Sequence, residues 1–229
     1  MSRSRPGGLV LSLIAAVGIL LTRSVMAQEH PPKILEIYRE PVKAGSEVAY
    51  RAIEEDGARI CADMKFPHSH LAIESLSGPK EVWWLNAFGS AEEKEQAFAD
   101  YARNPALVAA LERHAERKKA LTETGADIFA NYEADSSQGG AWSLAGARFF
   151  VVTVTRRNPG TGGSVFVAPD GTRFILRPVR TRQQADALAA RVGPETTVFA
   201  VRPYWGMPAR EWIAADPEFW KSNPMARVR

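Results

Sequence analysis

Alternating apolar and polar side chains predict the strands in the first half of the chain. Residues 33–40, 70–76 and 81–88 alternate in this way, which is typical of strands with one covered face. Only a short turn, Ser77-Gly78-Pro79, separates the second segment from the third. We therefore expect these two segments to form an antiparallel hairpin.

Three helices are predicted in the same half. Apolar side chains stripe residues 45–64, and Gly57 lies on that stripe, so we expect the helix to approach the sheet closely there. Ser90 begins a second helix as the first residue of a capping box. Asn104 followed by Pro105 begins a third, because these residues suit the cap and the first helical position.

A second set of strands follows residue 147. Residues 148–156 and 197–201 are strand-like, and Pro169-Asp170-Gly171 predicts a hairpin turn between two short strands. Thr181 begins a helix as the first residue of another capping box. This half lacks a long helix after its first strand.

The order of elements predicts an α+β protein in several parts. One half covers residues 28–132 and a second, degenerate half covers 147–204, joined by a linker at 133–146. The tail at 205–229 is irregular and carries three spaced tryptophans, which predicts that it wraps the outside of a domain and is pinned there by these aromatic side chains.

The first 27 residues predict a removable secretory signal peptide. Two arginines and no acid precede an apolar run over 9–21, which is shorter than the ~20 residues that span a bilayer. Val25 and Ala27 occupy the two small-residue positions of a cleavage site. We expect the mature protein to begin at Gln28 and to be periplasmic or secreted.

Charge and cysteine content narrow the function further. The chain has 29 basic and 26 acidic side chains, and the signal peptide accounts for three of the basic ones. The mature chain is therefore formally neutral, and we expect no nucleic-acid partner. Cys61 is the single cysteine, which excludes an internal disulfide and suggests a buried small hydrophobe.

Two stretches carry a resemblance to a known superfamily. ILEIYREPVKAGSE at 34–47 combines the first strand with a helix start, and EVWWLNAFGSAEE at 81–93 combines the third strand with a capped helix. They resemble the ferredoxin-like dimeric α/β barrels, which include antibiotic-biosynthesis monooxygenases and NIPSNAP-type proteins. The resemblance implies two ferredoxin-like halves, each an antiparallel sheet with helices on one face. The barrel then forms within one chain or between the two chains of a homodimer.

Strand parity defines the candidate site. With Leu35 and Ile37 turned toward the helices, the opposite face presents Glu36, Tyr38, His70, Glu74, Trp84 and Asn86. Because this face lines a cavity in such barrels, we assign ligand binding to Tyr38, Trp84 and Asn86. The alternative is that these side chains cover a solvated sheet face or a dimer seam.

His70 and Glu74 are the candidate catalytic residues, a base oriented by a carboxylate. Among the face residues assigned a role, only His70 has an ordinary pKa near neutrality, so we expect its charge to govern ligand binding. His114 lies on the apolar side of its helix and is expected to be a packed core residue.

No metal or cofactor is expected. His68 and His70 could point the same way on a strand, but two ligands do not make a metal site. Haem-degrading members of the superfamily use an asparagine on the first strand, a tryptophan on the third and a helical histidine. Trp84 and His114 match this set, whereas the first strand has no asparagine.

Two functions remain. The first is an exported protein that binds a small apolar ligand in the barrel, as a cofactor-independent monooxygenase or isomerase. The second is a non-catalytic structural or interaction protein whose barrel is filled by its own side chains. An open pocket lined by His70, Glu74 and Trp84 favours the first function, and a close-packed interior favours the second.

Overall fold

A computed structural model describes residues 30–137, 142, 144–157 and 162–227. Its strands are β1 (Ile34–Pro41), β2 (His70–Ser75), β3 (Glu81–Phe88), β4 (Ala126–Tyr132), β5 (Phe149–Thr155), β6 (Ser164–Val167), β7 (Arg173–Val179) and β8 (Thr196–Val201). Its helices are α1 (Glu47–Asp63), α2 (Ala91–Ala102), α3 (Pro105–Lys118), α4 (Arg182–Val192), α5 (Arg210–Ala215), α6 (Pro217–Trp220) and a 3-10 helix (Pro224–Arg227). The predicted signal peptide and part of the predicted linker lie outside the described residues.

The eight strands form one closed antiparallel barrel. Their order is β1-β3-β2-β8-β5-β7-β6-β4, and β4 pairs again with β1. Each half contributes four strands in the same relative order, with its last strand beside its first, followed by its third and its second. The pairing between β4 and β6 covers few residues: Asn131 pairs with Val167, and Tyr132 pairs with Phe166. The barrel therefore closes within a single chain.

The structure confirms the hairpin and the helix starts that were predicted from turn and capping residues. β2 and β3 form the predicted hairpin. The Ser90 hydroxyl accepts a hydrogen bond from the Glu93 N–H at 3.1 Å, and the Asn104 side chain accepts one from the Leu107 N–H at 3.1 Å. Thr181 begins a complete capping box at α4.

One strand, β4, was not predicted. Its sequence ADIFANY has a single buried side chain, Ala130, so it lacks a clear alternation of apolar and polar positions. It forms a strand because it lies antiparallel between β1 and β6 and pairs with both of them. Pairing with neighbouring strands, and not a local sequence pattern, therefore makes this segment a strand.

The barrel interior is filled with side chains. Alternate residues of all eight strands meet in one buried cluster that includes Leu35, Ile37, Trp83, Phe150 and Phe174. The expectation that Leu35 and Ile37 face the helices is therefore wrong. An eight-stranded barrel encloses only enough space for side chains, so the apolar face turns inward and the polar face turns outward.

The helices cover the outside of the barrel. α1 and α3 pack against each other on the first half, and α4 packs on β5 and β8. Gly57 makes its close approach to His114 on α3, and not to the sheet as expected, since a Cβ at Gly57 would lie 2.6 Å from His114 Nε2. Within the described ranges, no helix is long and apolar enough to cross a membrane.

The tail belongs to the core. Trp212 and Trp220 are buried in the same cluster as the barrel interior, together with Trp142 from the segment between the halves. Buried Asp216 accepts hydrogen bonds from Arg148 at 2.8 and 3.0 Å. Buried aromatic side chains therefore attach the tail to the rest of the domain.

Candidate functional site

A cavity of about 380 Å³ lies between the outer face of the first-half strands and the helices α1 and α3. The strands line it with Glu36, Tyr38, His70, Trp84, Asn86 and Asp127. The helices and loops line it with Glu54, Gly57, Ala58, Cys61, Phe66, Leu111, His114, Ala115, Lys118 and Gly206. Tyr38 and Asp127 are exposed and mark its mouth, whereas Glu54 and Lys118 are buried.

The cavity brings together four of the five residues assigned to the site. Tyr38, His70, Trp84 and Asn86 all line it. Glu74 does not, because it lies opposite Ala200 of β8 and its carboxylate is bound by the Arg202 guanidinium. The geometry therefore separates His70 from Glu74.

Strand register arranges the lining in two rows. Glu36 on β1 pairs with Asn86 on β3, and Asn86 pairs with His70 on β2, which gives a polar row across three strands. The adjacent row runs from Tyr38 through Trp84. The cavity floor thus has a row of polar side chains beside a row of aromatic side chains.

Ring contacts hold the aromatic wall in place. The His70 ring lies edge-on to Trp84 with 5.8 Å between centroids, and to Phe66 with 5.3 Å. Trp205, at the start of the tail, contacts Trp84 at 6.4 Å. Gly206 follows with φ +70°, and a Cβ there would lie 2.8 Å from the His70 carbonyl oxygen. The tail therefore helps to shape the cavity.

A buried network of charged side chains lies at the inner end of the cavity. Lys118 Nζ lies 2.8 Å from Glu40 Oε1 and 2.7 Å from Glu54 Oε1. Glu40 Oε2 also accepts hydrogen bonds from the Tyr50 hydroxyl at 2.7 Å and from Trp84 Nε1 at 3.0 Å. Because Glu40 accepts from Trp84 and is itself held by Tyr50 and Lys118, the network fixes the orientation of Trp84.

Two carboxyl groups in the cavity take up protons near neutrality. Burial raises the pKa of Glu36 to about 7, and the neighbouring Asp127 carboxylate adds to the increase. Burial also raises the pKa of Glu54 to about 7, although Lys118 acts in the opposite direction. Groups with such pKa values can both accept and donate protons at physiological pH.

His70 has the opposite property. Burial lowers its pKa to about 4, so the imidazole is neutral at physiological pH. Its Nδ1 is buried and makes no well-formed hydrogen bond within the described residues, although the nearby His68 backbone acts to raise the pKa. The expectation that the charge of His70 governs binding is therefore wrong, and the carboxyls of Glu36 and Glu54 are the cavity groups whose pKa values lie near neutrality.

His114 and Cys61 are buried, as predicted. His114 Nε2 lies 3.0 Å from the Ile53 carbonyl oxygen, and the ring also borders the cavity. Burial raises the pKa of the Cys61 thiol to about 12, which disfavours a nucleophilic role. In the part of the chain that the structure describes, no group of three or more His, Cys, Asp or Glu side chains is arranged to hold a metal ion.

Three titratable residues of the site were missed. Asp127 lies on β4, the strand that was not predicted. Glu54 and Lys118 are charged residues on the inward faces of their helices, and Lys118 continues the apolar stripe of Leu107 and His114. A charge on a buried stripe is the signal that could have found them, because such a charge requires a buried partner.

No protein-family model matches the chain, and no curated protein matches it. Two solved structures resemble it, one from Fusobacterium nucleatum and one from Lactobacillus acidophilus, each described as a "putative monooxygenase". Their TM-scores are 0.42 and 0.40. Each is 10% identical to the chain over 76% of its length and 94% of the other protein.

Proposed function

We propose that this chain is an exported protein that binds a small, largely apolar ligand in the cavity under α1 and α3, and that Glu36 transfers a proton on that ligand. The single observation that carries the proposal is a carboxyl with a pKa of about 7 on the floor of a cavity with an aromatic wall. Enzymes use carboxyl groups with raised pKa values as acids and bases at neutral pH.

The proposed parts have distinct roles. Trp84, held by Glu40, supplies a flat surface for the ligand, and Tyr38 borders the mouth. Asn86 and neutral His70 offer hydrogen bonds along the polar row. Arg202 forms an ion pair with Glu74, so Glu74 has a structural role and His70 makes the polar contact with the ligand.

Proton removal by Glu36 serves two reaction classes. In an isomerisation, the carboxylate takes a proton from one carbon of the ligand and returns it to another. In a cofactor-independent monooxygenation, the deprotonated ligand reduces O₂, so that one oxygen atom enters the ligand. The other oxygen atom leaves as water with two hydrogens of the ligand.

The architecture supports two ferredoxin-like halves, a finer description that we also propose. The strand order within each half is the same. The second half lacks a helix after its first strand, and it has one helix, α4, where the first half has α2 and α3.

A non-catalytic structural role is the second candidate function. It is favoured by the barrel interior, where one buried cluster gathers side chains from all eight strands.

Blocking the cavity tests the proposal. Ala115 borders it from α3 and is exposed, so Ala115→Trp fills the space without disturbing the core. Ala106→Trp, on an exposed position of the same helix outside the cavity lining, is the matched control. Untargeted mass spectrometry of molecules released from purified protein should find a ligand in the wild type and in the control, but not in Ala115→Trp.

The chemical step is tested with the ligand so identified. Glu36→Gln should retain the ligand and lose turnover, and oxygen uptake separates monooxygenation from isomerisation. If no molecule is released from either wild type or control, the non-catalytic function stands instead.

Export is tested separately. The basic and apolar segments before Val25-Met26-Ala27 support cleavage after Ala27. N-terminal sequencing of the exported protein should begin at Gln28. Exported protein that begins at Met1 would contradict it.

A further inference from the structure

The cavity carries an excess of acidic groups. Among the described lining residues, Glu36, Glu54 and Asp127 provide three carboxyls against one ammonium, that of Lys118. Lys118 is already bound between Glu54 and Glu40. The two lining histidines have lowered pKa values because they are buried, so they add no positive charge at physiological pH.

Glu36 and Asp127 form a carboxyl pair near the mouth, on adjacent strands. Asp127 raises the pKa of Glu36, whereas a hydrogen bond with Glu36 acts to lower the pKa of Asp127. The Asn86 amide and Lys94 act to lower the pKa of Glu36. Lys94 itself lies 5.0 Å above the Phe129 ring, outside the cavity lining. Two ionised carboxylates at neighbouring positions repel each other, so the pair favours a shared proton or a bound cation.

The rest of the cavity suits an organic cation better than a metal ion. Tyr38 and Trp84 line the cavity together with the carboxyl pair, and aromatic rings attract organic cations. Lys118 Nζ already lies 5.7 Å from the centroid of the Trp84 ring. Across the floor, neutral His70 lines the cavity; its Nδ1 is buried from solvent and makes no well-formed hydrogen bond within the described residues, although the His68 backbone acts on it.

We infer that the cavity selects a protonated amine carried on a flat apolar body, with the ammonium group between Glu36 and Asp127 and the body against Trp84. This substrate class rests on the proposed function. It adds that the positive charge of the ligand is the feature recognised, and that ligands with a carboxylate are excluded by like-charge repulsion.

A consequence links binding to the proposed chemistry. In the free protein Glu36 holds a proton over much of the range below pH 7, and a protonated carboxyl cannot act as a base. A bound ammonium favours the ionised form, so Glu36 releases its proton to solvent and becomes a carboxylate beside the ligand. The groups that face Glu36 in this titration are Asp127 on β4, Lys94 on α2 and, across the cavity, Glu54, His70, His114 and Lys118.

Three probes with the same body test the charge preference. Phenethylamine, 2-phenylethanol and phenylacetate differ in carrying an ammonium, a hydroxyl or a carboxylate. Titration calorimetry of the purified protein at millimolar concentrations should give phenethylamine at least about tenfold tighter binding than 2-phenylethanol, and no binding of phenylacetate.

Proton release is measured in the same experiment. Binding heats in phosphate and in Tris at pH 6.5 should reveal the release of about three quarters of a proton with phenethylamine, the protonated fraction of a group with a pKa of about 7. No proton should be released with 2-phenylethanol. Binding of phenethylamine should be about twentyfold weaker at pH 5.5 than at pH 7.5 for the same reason.

Three variants test whether the preference for the ammonium depends on Glu36 and Asp127 or on the overall negative charge of the protein. Glu36→Gln should abolish proton release and reduce the preference for phenethylamine to less than about threefold, and Asp127→Asn, at an exposed position, should reduce it in the same direction. Glu116→Gln makes the same charge change on an exposed residue of α3 and should alter neither quantity. Thermal unfolding verifies that each variant is folded.

The outcomes distinguish the two proposals. Tighter binding of 2-phenylethanol or phenylacetate, or binding of phenethylamine without proton release, overturns the cation preference and leaves the proposed function intact. Failure of all three probes in the wild type, together with no ligand released from purified protein, overturns both.

Discussion

The backbone of Gly57 on α1 lies directly against the imidazole of His114 on α3. A Cβ at position 57 would stand 2.6 Å from Nε2 and 2.9 Å from Cε1 of that ring, closer than side chains can approach. The spacing of the two helices above the sheet, and hence the roof of the cavity, depends on this contact.

Gly57→Ala should therefore destabilise the protein by about 1–3 kcal/mol, as overpacking of a core does. The usual effect of this change inside a helix is a stabilisation of about 0.5–1 kcal/mol, so the sign is diagnostic. Urea unfolding measures it. Combining it with His114→Ala should remove most of the penalty of the glycine substitution, and additive effects would show that the two residues are not coupled.

Lys118→Met should cost about 3–5 kcal/mol, because Glu40 and Glu54 then remain buried without their counter-charge. The loss should be smaller at pH 5 than at pH 8, since Glu54 can become neutral at the lower pH. Lys119→Met removes an exposed pair with Glu116 and should change stability by less than about 1 kcal/mol. Equal effects of the two variants in chemical denaturation would contradict the proposed importance of the buried network.

The pH dependence of stability has a sign that follows from Glu36. Its pKa is about 7 in the folded protein and 4.5 as its ordinary value, so the folded state holds the proton more tightly. The associated stabilisation is complete below pH 4.5 and is lost as pH rises through 7. The free energy of unfolding of the wild type should therefore fall more between pH 5 and pH 8 than that of Glu36→Gln. A larger fall in the variant would contradict this assignment.

Trp220→Ala should cost about 3–5 kcal/mol, because the indole is 2% exposed and belongs to the cluster that fills the barrel. Phe98→Ala is the control, since that ring is 45% exposed on α2 and should cost about 1 kcal/mol or less. Guanidinium unfolding of both variants measures the difference. A mild effect of Trp220→Ala would contradict the assignment of this indole to the core cluster and would favour a peripheral tail.

Local signals in the sequence predicted most of the individual elements. The β2–β3 hairpin and the starts of α2, α3 and α4 depend on residues a few positions apart, such as Thr181 with Gln184. Strand parity likewise grouped Tyr38, His70, Trp84 and Asn86, because successive side chains on a strand alternate faces whatever the strand packs against.

Only the tertiary structure decided which face of each strand points into the barrel and which faces the helices. Whether Leu35 points at a helix or into a barrel depends on closure by β5 to β8, and that closure requires β4, a strand without a pattern of its own. The pKa values were undetermined for the same reason. Burial and the approach of Asp127 raise that of Glu36, and burial lowers that of His70, so side chains brought together by folding set which group exchanges protons near neutrality.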